Sequence, residues 1–201
     1  MLASRLRRLL AGGSSGNEQL TLAVAALLLV LLAVEGATLL NLNWLLTVHA
    51  FVGMLLIPVV ALKLASTGWR MVAYYRRGEE YVRRGPPHIA LRVLIAPVLI
   101  VSTTVLLGTG VALLALDETH GTLVGLHKAS FFVWLGVASL HVLAHLLRLP
   151  RLWRLRPPGL ALRIALVGAS LVAGAALATA TLPGADRLQD RASAHVGFDE
   201  H

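Results

Sequence analysis

Three histidines lie within one apolar segment that is long enough to cross a membrane. The segment covers residues 125–149 and contains His127, His141 and His145. A neutral imidazole is poorly tolerated in hydrocarbon unless its ring nitrogens are satisfied, so intramembrane histidines indicate a functional site. On an α-helix, His127 and His145 project in nearly the same direction, and His141 lies about 40° away around the axis. All three side chains therefore share one helix face.

The spacing of His127 and His141 is close to that of two heme groups stacked across a bilayer. Their separation along the helix axis is about 21 Å, at 1.5 Å per residue. A b-type heme takes one axial imidazole nitrogen from each side of its iron. A second helix must therefore supply partner ligands at matching depths.

The composition is that of a polytopic membrane protein. Of the 201 residues, 57% are hydrophobic and only 14% are charged, whereas soluble domains are about 45–50% apolar and about 25% charged. The chain has no cysteine, which excludes disulfides, thiolate-ligated heme, iron–sulfur clusters and heme attachment through C-x-x-C-H. The net charge of +8 comes from arginines that flank apolar segments. They indicate topology and lipid contact, and we expect no nucleic-acid partner.

Five apolar segments predict an all-α integral membrane bundle of five transmembrane helices. We expect a basic cytoplasmic tail over residues 1–18, a five-span membrane domain over 19–182 and a polar extracytoplasmic tail over 183–201. Pro183 and Gly184 are expected to end the last helix. The predicted spans 1 to 5 cover residues 19–40, 45–65, 89–116, 122–147 and 160–182.

The arginines also predict the orientation of the chain. Twelve of the 16 lie in the N-terminal tail, the loop after span 2 and the loop after span 4, and the turns after spans 1 and 3 have none. Loops rich in arginine stay in the cytoplasm. The N-terminus is therefore expected inside, the C-terminus outside, and spans 2 and 4 both run from outside to inside.

These parallel spans place two histidines at the same depth. His49 is about four residues inside span 2 and His127 is about five residues inside span 4, both near the outer face. We expect the pair to ligate one b-type heme, with Gly53 one turn below His49 leaving room for a porphyrin face. The alternative is that each histidine is a core residue hydrogen-bonded to a neighbouring helix.

The inner half of the bundle has an incomplete ligand set. His141 and His145 leave the same helix on the same side and cannot be the two axial ligands of one iron. At their depth span 2 carries Lys63, for which three roles remain open: an unusual heme ligand, a propionate partner, or a lysine whose amine reaches the inner headgroups. We therefore expect one heme b and leave a second open.

Other charged residues are candidates for heme propionates. Arg70 and Arg92 lie at the inner membrane edge, where they can bind propionates or lipid phosphates. Lys128, beside His127, can neutralise the propionates of the outer heme. Glu35, near the outer end of span 1, is expected to reach the membrane interface, the alternative being proton transfer to a quinone.

Spans 2 to 4 resemble those of membrane b-type cytochromes, such as the heme-carrying membrane subunits of bacterial hydrogenases, formate dehydrogenases and related molybdoenzymes. His127 and His141 match an H-x13-H pattern on one helix. The block HAFVGMLLIPVVALKLASTGWRMVAYYRRGEEYVRRGPP at residues 49–87, followed by LHKASFFVWLGVASLHVLAHL at 126–146, is similar to small actinobacterial proteins of this type. The family pattern has two histidines on each of two helices, and Lys63 stands where span 2 should supply its second.

The resemblance implies a four-helix heme-binding core in the bacterial cytoplasmic membrane. It also implies electron transfer, with a quinone or a redox partner subunit exchanging electrons with the heme, and an electron-transfer subunit rather than a complete enzyme. Two other functions stay open, a heme-free proton-coupled transporter and a structural anchor subunit of a membrane complex. Five spans without an inverted repeat argue against the transporter.

Overall fold

The computed structural model describes residues 12–83, 91–147, 149–150, 154 and 157–198, and in these residues the chain is helical and contains no strand. A 3-10 segment, Leu39–Asn41, separates the first two helices, and a π-helical segment, Leu91–Ile95, leads into the fourth. The helices are α1 (Gly13–Thr38), α2 (Leu42–Tyr75), the short α3 (Glu79–Val82), α4 (Ala96–Leu116), α5 (Thr122–Leu146) and α6 (Leu160–Phe198).

Four helical segments in the described residues are long and apolar enough to cross a membrane, which confirms the prediction of an all-helical, multi-pass membrane protein. Large apolar side chains such as Phe132 and Val172 are exposed, as expected where lipid chains rather than water surround the helices. The four segments are Gly13–Tyr75, Val93–Leu116, Thr122–Leu146 and Leu160–Ser193.

The first of these segments folds back on itself. It contains 63 residues, which in one straight helix would extend about 95 Å, roughly three times the thickness of a bilayer core. Asn41 has non-helical backbone angles at the junction, with φ −147° and ψ 62°. Asn17 is hydrogen-bonded to Ser66, and Glu35 lies against His49. Residues equally far from the junction thus meet, and α1 and α2 form an antiparallel hairpin.

Helices α4 and α5 form a second antiparallel hairpin. Asp117 ends α4 in the left-handed region, with φ 58°, and Gly121 precedes α5 with φ 89°, a value that glycine adopts without a Cβ penalty. Trp134 Nε1 donates a hydrogen bond to Thr103 Oγ1 across the hairpin at 3.0 Å. Together with the contact between Thr109 and His127, it orients α5 against α4.

Helix α6 packs antiparallel along α2. At Gly174 the two backbones are so close that a Cβ atom would lie 2.5 Å from the Leu55 carbonyl oxygen, and small residues are what permit such an approach between membrane helices. Around this contact, apolar side chains from α1, α2, α4 and α6 form the core. It consists of two clusters, one with the buried residues Met54, Leu114, Ala178 and Ala185 and the other with the buried residues Leu20, Val24 and Val59.

The last helix differs from its prediction. Pro183 and Gly184 lie inside α6, which continues to Phe198. Proline lacks the N–H that bonds to the preceding turn, so it weakens a helix interior without always ending it. Contacts made by the following residues account for the continuation.

These contacts join the C-terminal part of α6 to the other helices. Gln189 Oε1 accepts hydrogen bonds from the backbone N–H of Leu46 at 2.9 Å and of Thr47 at 3.3 Å, two donors that directly follow the non-helical Leu45 of α2. Arg191 Nη2 lies 2.8 Å from Asp117 Oδ2 at the end of α4. The residues after Pro183 are therefore a docked helix.

The helices alternate in direction, so the bundle has two ends. The ends of α1, α4 and α6 and the beginnings of α2 and α5 lie together at what we call the upper end. The opposite end is called the lower end. Helices α2 and α5 thus run in the same direction, from the upper end to the lower.

Candidate functional site

His49 is positioned by α1 at the upper end. Its Nδ1 lies 3.0 Å from Thr38 Oγ1 and 3.1 Å from Glu35 Oε1. The Thr38 hydroxyl donates its own proton to the Glu35 carbonyl oxygen at 2.6 Å, so towards His49 it acts as an acceptor. The imidazole therefore carries its proton on Nδ1, and the lone pair is on Nε2.

His127 is positioned by α4 in the same way. Its Nδ1 lies 2.9 Å from Thr109 Oγ1. The Thr109 hydroxyl donates to the Val105 and Leu106 carbonyl oxygens at 2.7 and 3.0 Å, so it also acts as an acceptor from the imidazole. Each histidine is thus held at Nδ1 by a threonine of the neighbouring helix, with Nε2 as the nitrogen that can bind a metal.

Two glycines lie beside these histidines. At Gly110 a Cβ atom would be 3.3 Å from His127 Cε1, so the absence of a side chain lets the His127 ring lie against α4. At Gly53 a Cβ atom would be 3.5 Å from Glu35 Oε1. The neighbour of Gly53 is therefore the carboxylate that contacts His49, and room for a porphyrin face at Gly53 stays a prediction.

The two histidines occupy helices that do not pack directly against each other. In the described residues α5 packs on α4, and α4 in turn contacts α2 and α6. Both imidazoles lie at the upper end, His49 against α1 and His127 against α4. That they ligate one iron together stays a prediction.

Glu35 is oriented towards His49. We expected its carboxylate to reach the membrane interface, but the side chain is 16% exposed and its Oε1 contacts His49 Nδ1. The second oxygen, Oε2, is buried and has no hydrogen-bond partner among the described residues. Glu35 therefore belongs to the surroundings of the His49 ring.

The lower end has a different arrangement. The rings of His141 and His145 stack at 4.5 Å with an angle of 19° between their planes. His145 Nδ1 lies 3.0 Å from the His141 carbonyl oxygen, which is an acceptor on its own helix. Both rings are thus packed together on α5, without a histidine from α2 opposite them.

Lys63 is directed towards α1. Its amine donates a hydrogen bond to the Thr21 carbonyl oxygen of α1 at 2.8 Å. Of the three roles left open by the sequence, reaching the headgroups does not match this contact. Thr21 and Asn17 also bond to Ser66, at 3.1 and 2.9 Å, so Lys63 is one member of a polar contact between α1 and α2.

The remaining predicted residues lie at the surface or outside the described part. Arg70 and Lys128 are exposed, where they can reach lipid headgroups. Arg92 belongs to the π-helical segment before α4, but its side chain lies outside the described part of the chain.

Sequence reasoning missed Thr38, Thr109 and Gly110. A signal for one of them was present, because Thr109 and His127 are equally far from residue 118 in the α4–α5 turn. Residues at equal distances from a short turn meet in an antiparallel hairpin. Pairing each histidine with a polar residue across its own turn would have found Thr109.

Among the described residues, no group of three or more His, Cys, Asp or Glu side chains could hold a bare metal ion. A heme iron needs no such group, because the protein supplies only its axial ligands. Comparisons with family models, curated proteins and solved structures found no match. The site is therefore interpreted from its own geometry.

Proposed function

We propose that this chain is a membrane b-type cytochrome that transfers electrons through a heme b ligated by His49 and His127. In this proposal α1 and α2 cross the membrane separately, which gives five crossings in total. The upper end faces outwards, and the N-terminus is in the bacterial cytoplasm.

One observation carries the proposal, namely the matched orientation of His49 and His127. Histidines that ligate metals almost always donate their other ring N–H to an oxygen, which fixes the tautomer and the ring orientation. Both histidines have this contact, through Thr38 and Thr109, on two different helix pairs. A core histidine satisfied by one neighbour explains either contact alone, but it does not explain two matched ones at one depth.

In this proposal the planar heme lies between α2 and α5, which both contact α4 rather than each other in the described residues. The two histidines would approach the iron from opposite sides. When bound, the heme would supply a one-electron iron couple. The chain's own contribution would be the two axial nitrogens, the threonine hydroxyls that orient them, and apolar helices that exclude water.

The arrangement of the lower end favours one heme in the protein, at the upper end. The amine of Lys63 is engaged by the Thr21 carbonyl oxygen, and His141 and His145 stack on the same helix. Neither arrangement offers two axial ligands from opposite sides. We therefore assign no heme to these residues, and we regard a quinone or a redox partner subunit as the source or acceptor of electrons.

The heme propionates would meet cations at the bundle ends. Lys128 follows His127 and is exposed near the upper end, which suits a propionate of the heme proposed there. Arg70 and Arg92 lie near the lower end, and in a protein with one upper heme they would bind lipid phosphates instead.

A visible spectrum of the full-length protein tests the proposal. The protein is expressed in heme-sufficient cells, purified in detergent and reduced with dithionite. We expect a b-type α-band in the reduced-minus-oxidised difference spectrum. A folded, helical protein without this band would refute the cytochrome and would leave the heme-free transporter or the anchor subunit.

A further inference from the structure

A cavity of about 270 Å³ opens between α2, α4 and α6 near the upper end. Met54, Val111 and Leu114 form apolar parts of its wall, and Arg187 is the one charged residue that lines it. The guanidinium lies beside the cavity lining. Its Nη2 would be 3.7 Å from a Cβ atom at Gly184, which is itself a lining residue. The cavity is thus apolar inside and cationic at one edge.

The two arginines of this helical segment differ in their partners. Arg191 is paired with Asp117 at 2.8 Å. Arg187, one turn earlier, has no hydrogen bond or ion pair within the described part of the chain. An unpaired guanidinium beside an apolar cavity favours a ligand that has both an anionic group and an apolar chain.

The depth of Arg187 selects among such ligands. The apolar part of α6 ends near Leu182, so Arg187 lies at the level of the lipid headgroups and the cavity extends from there towards the acyl chains. A small soluble anion would leave the apolar cavity unfilled, and a neutral apolar molecule would leave the guanidinium unpaired. A phospholipid places a phosphate and an acyl chain at these two depths.

We propose that this cavity binds an acyl chain of an anionic phospholipid whose phosphate is bound by Arg187. The site is built from α2, α4 and α6 and does not depend on the heme. Because α6 crosses over α2 and α4 here, the bound lipid would join three helices at one point.

Native mass spectrometry of the full chain tests this site. The protein is reconstituted in vesicles that hold equal amounts of phosphatidylglycerol and phosphatidylcholine, then released in a mild detergent. We expect phosphatidylglycerol to be retained in preference to phosphatidylcholine. Arg187→Gln should weaken its retention about tenfold, which is the effect of losing one charge-assisted hydrogen bond.

Two further variants separate the cavity from general charge effects. Ala180→Phe should fill the cavity from an exposed position and abolish lipid retention. Arg191→Gln removes the same charge from the same segment and should leave retention unchanged, although the protein unfolds more easily. If Arg187→Gln fails to fold, Arg187→Lys, which keeps the charge, should retain the lipid while Ala180→Phe does not.

Three results would overturn the site. Equal retention of the two lipids by the native chain would show that the cavity does not select an anion. Unchanged retention in a folded Arg187→Gln protein would remove the phosphate contact. Retention that survives Ala180→Phe would place the lipid elsewhere on the bundle.

Discussion

Helix α5 carries histidines near both ends of the bundle, but their contacts differ. At the upper end His127 is bonded to Thr109 of the neighbouring helix, and His49 is bonded to Thr38 in the same way. At the lower end His145 bonds to a carbonyl oxygen of its own helix and stacks on His141. The residue type is the same, but each upper ring contacts a threonine of another helix, whereas the lower rings stack on each other.

This difference is our reason for proposing a ligand site at the upper end and none at the lower end. A ligand needs one ring nitrogen anchored and the other directed at a second ligand across a gap. The upper pair meets the first condition through two separate hairpins, and the second is what we propose for the heme. At the lower end His145 Nδ1 also has an acceptor, but this is a carbonyl oxygen of its own helix, and the two rings stack on each other.

The largest expected effect is the loss of heme from the upper site. His49→Ala and His127→Ala should each remove all b-type heme, because one remaining axial imidazole holds the heme too weakly for purification. Heme content is measured as the pyridine hemochrome per chain. His120→Ala, in the exposed turn before α5, is the control and should keep its heme. An unchanged heme content in either His49→Ala or His127→Ala would refute the proposed ligand pair.

A smaller loss of heme affinity is expected when the threonine hydroxyls that contact the histidines are removed. Thr109→Val removes the acceptor of His127 Nδ1–H and should weaken heme binding about 10- to 100-fold, the usual cost of losing such a contact. Thr38→Val should be milder, because Glu35 Oε1 stays 3.1 Å from His49 Nδ1. Heme titration of the heme-free protein measures both, with Thr109→Ser as a control that keeps the hydroxyl. An unaffected Thr109→Val protein would show that the anchor is dispensable.

A modest loss of stability is expected at the docked end of α6. Gln189→Leu leaves the N–H groups of Leu46 and Thr47 without their acceptor, at a cost of about 1 kcal/mol, as for the loss of a helix cap. Thermal unfolding in detergent measures the change, and Asp190→Asn at the exposed neighbouring position is the control. The heme spectrum should not change. An unaltered unfolding temperature would mean that the contact does not stabilise the fold.

The smallest effect is expected at the lower end, where the loss of a histidine should leave the heme content unchanged. His141→Ala and His145→Ala should each keep the heme-to-chain ratio of the native protein in a pyridine hemochrome assay. A ratio that falls by half in either variant would reveal a second heme. It would also remove the contrast between the two ends.

The sequence was sufficient for the helical architecture and for the depth of the histidines. Apolar segments of bilayer length predicted the membrane helices, because an α-helix satisfies its backbone hydrogen bonds in lipid within a single segment. Counting residues from the span ends brought His49 and His127 to the same level, and in the structure both lie towards the upper end of the bundle. Both results depend only on helix length and direction.

The contacts around the rings depend on how each helix is rotated, which composition does not reveal. Glu35 was expected at the interface, and the rotation of α1 turns it towards His49. Pro183 was expected to end the last helix, and the contact of Gln189 with Leu46, 143 residues away in sequence, accompanies its continuation. Such long-range contacts override local signals, and only the packed bundle shows them.

The most direct test of the central claim is electron paramagnetic resonance of the oxidised, full-length protein. Two axial imidazoles make ferric heme low-spin, so we predict a single low-spin signal in the native chain. This signal should be lost in both His49→Ala and His127→Ala, with any residual heme high-spin, and kept in His141→Ala. A high-spin native protein, or a low-spin signal that survives the loss of either upper histidine, would contradict the account.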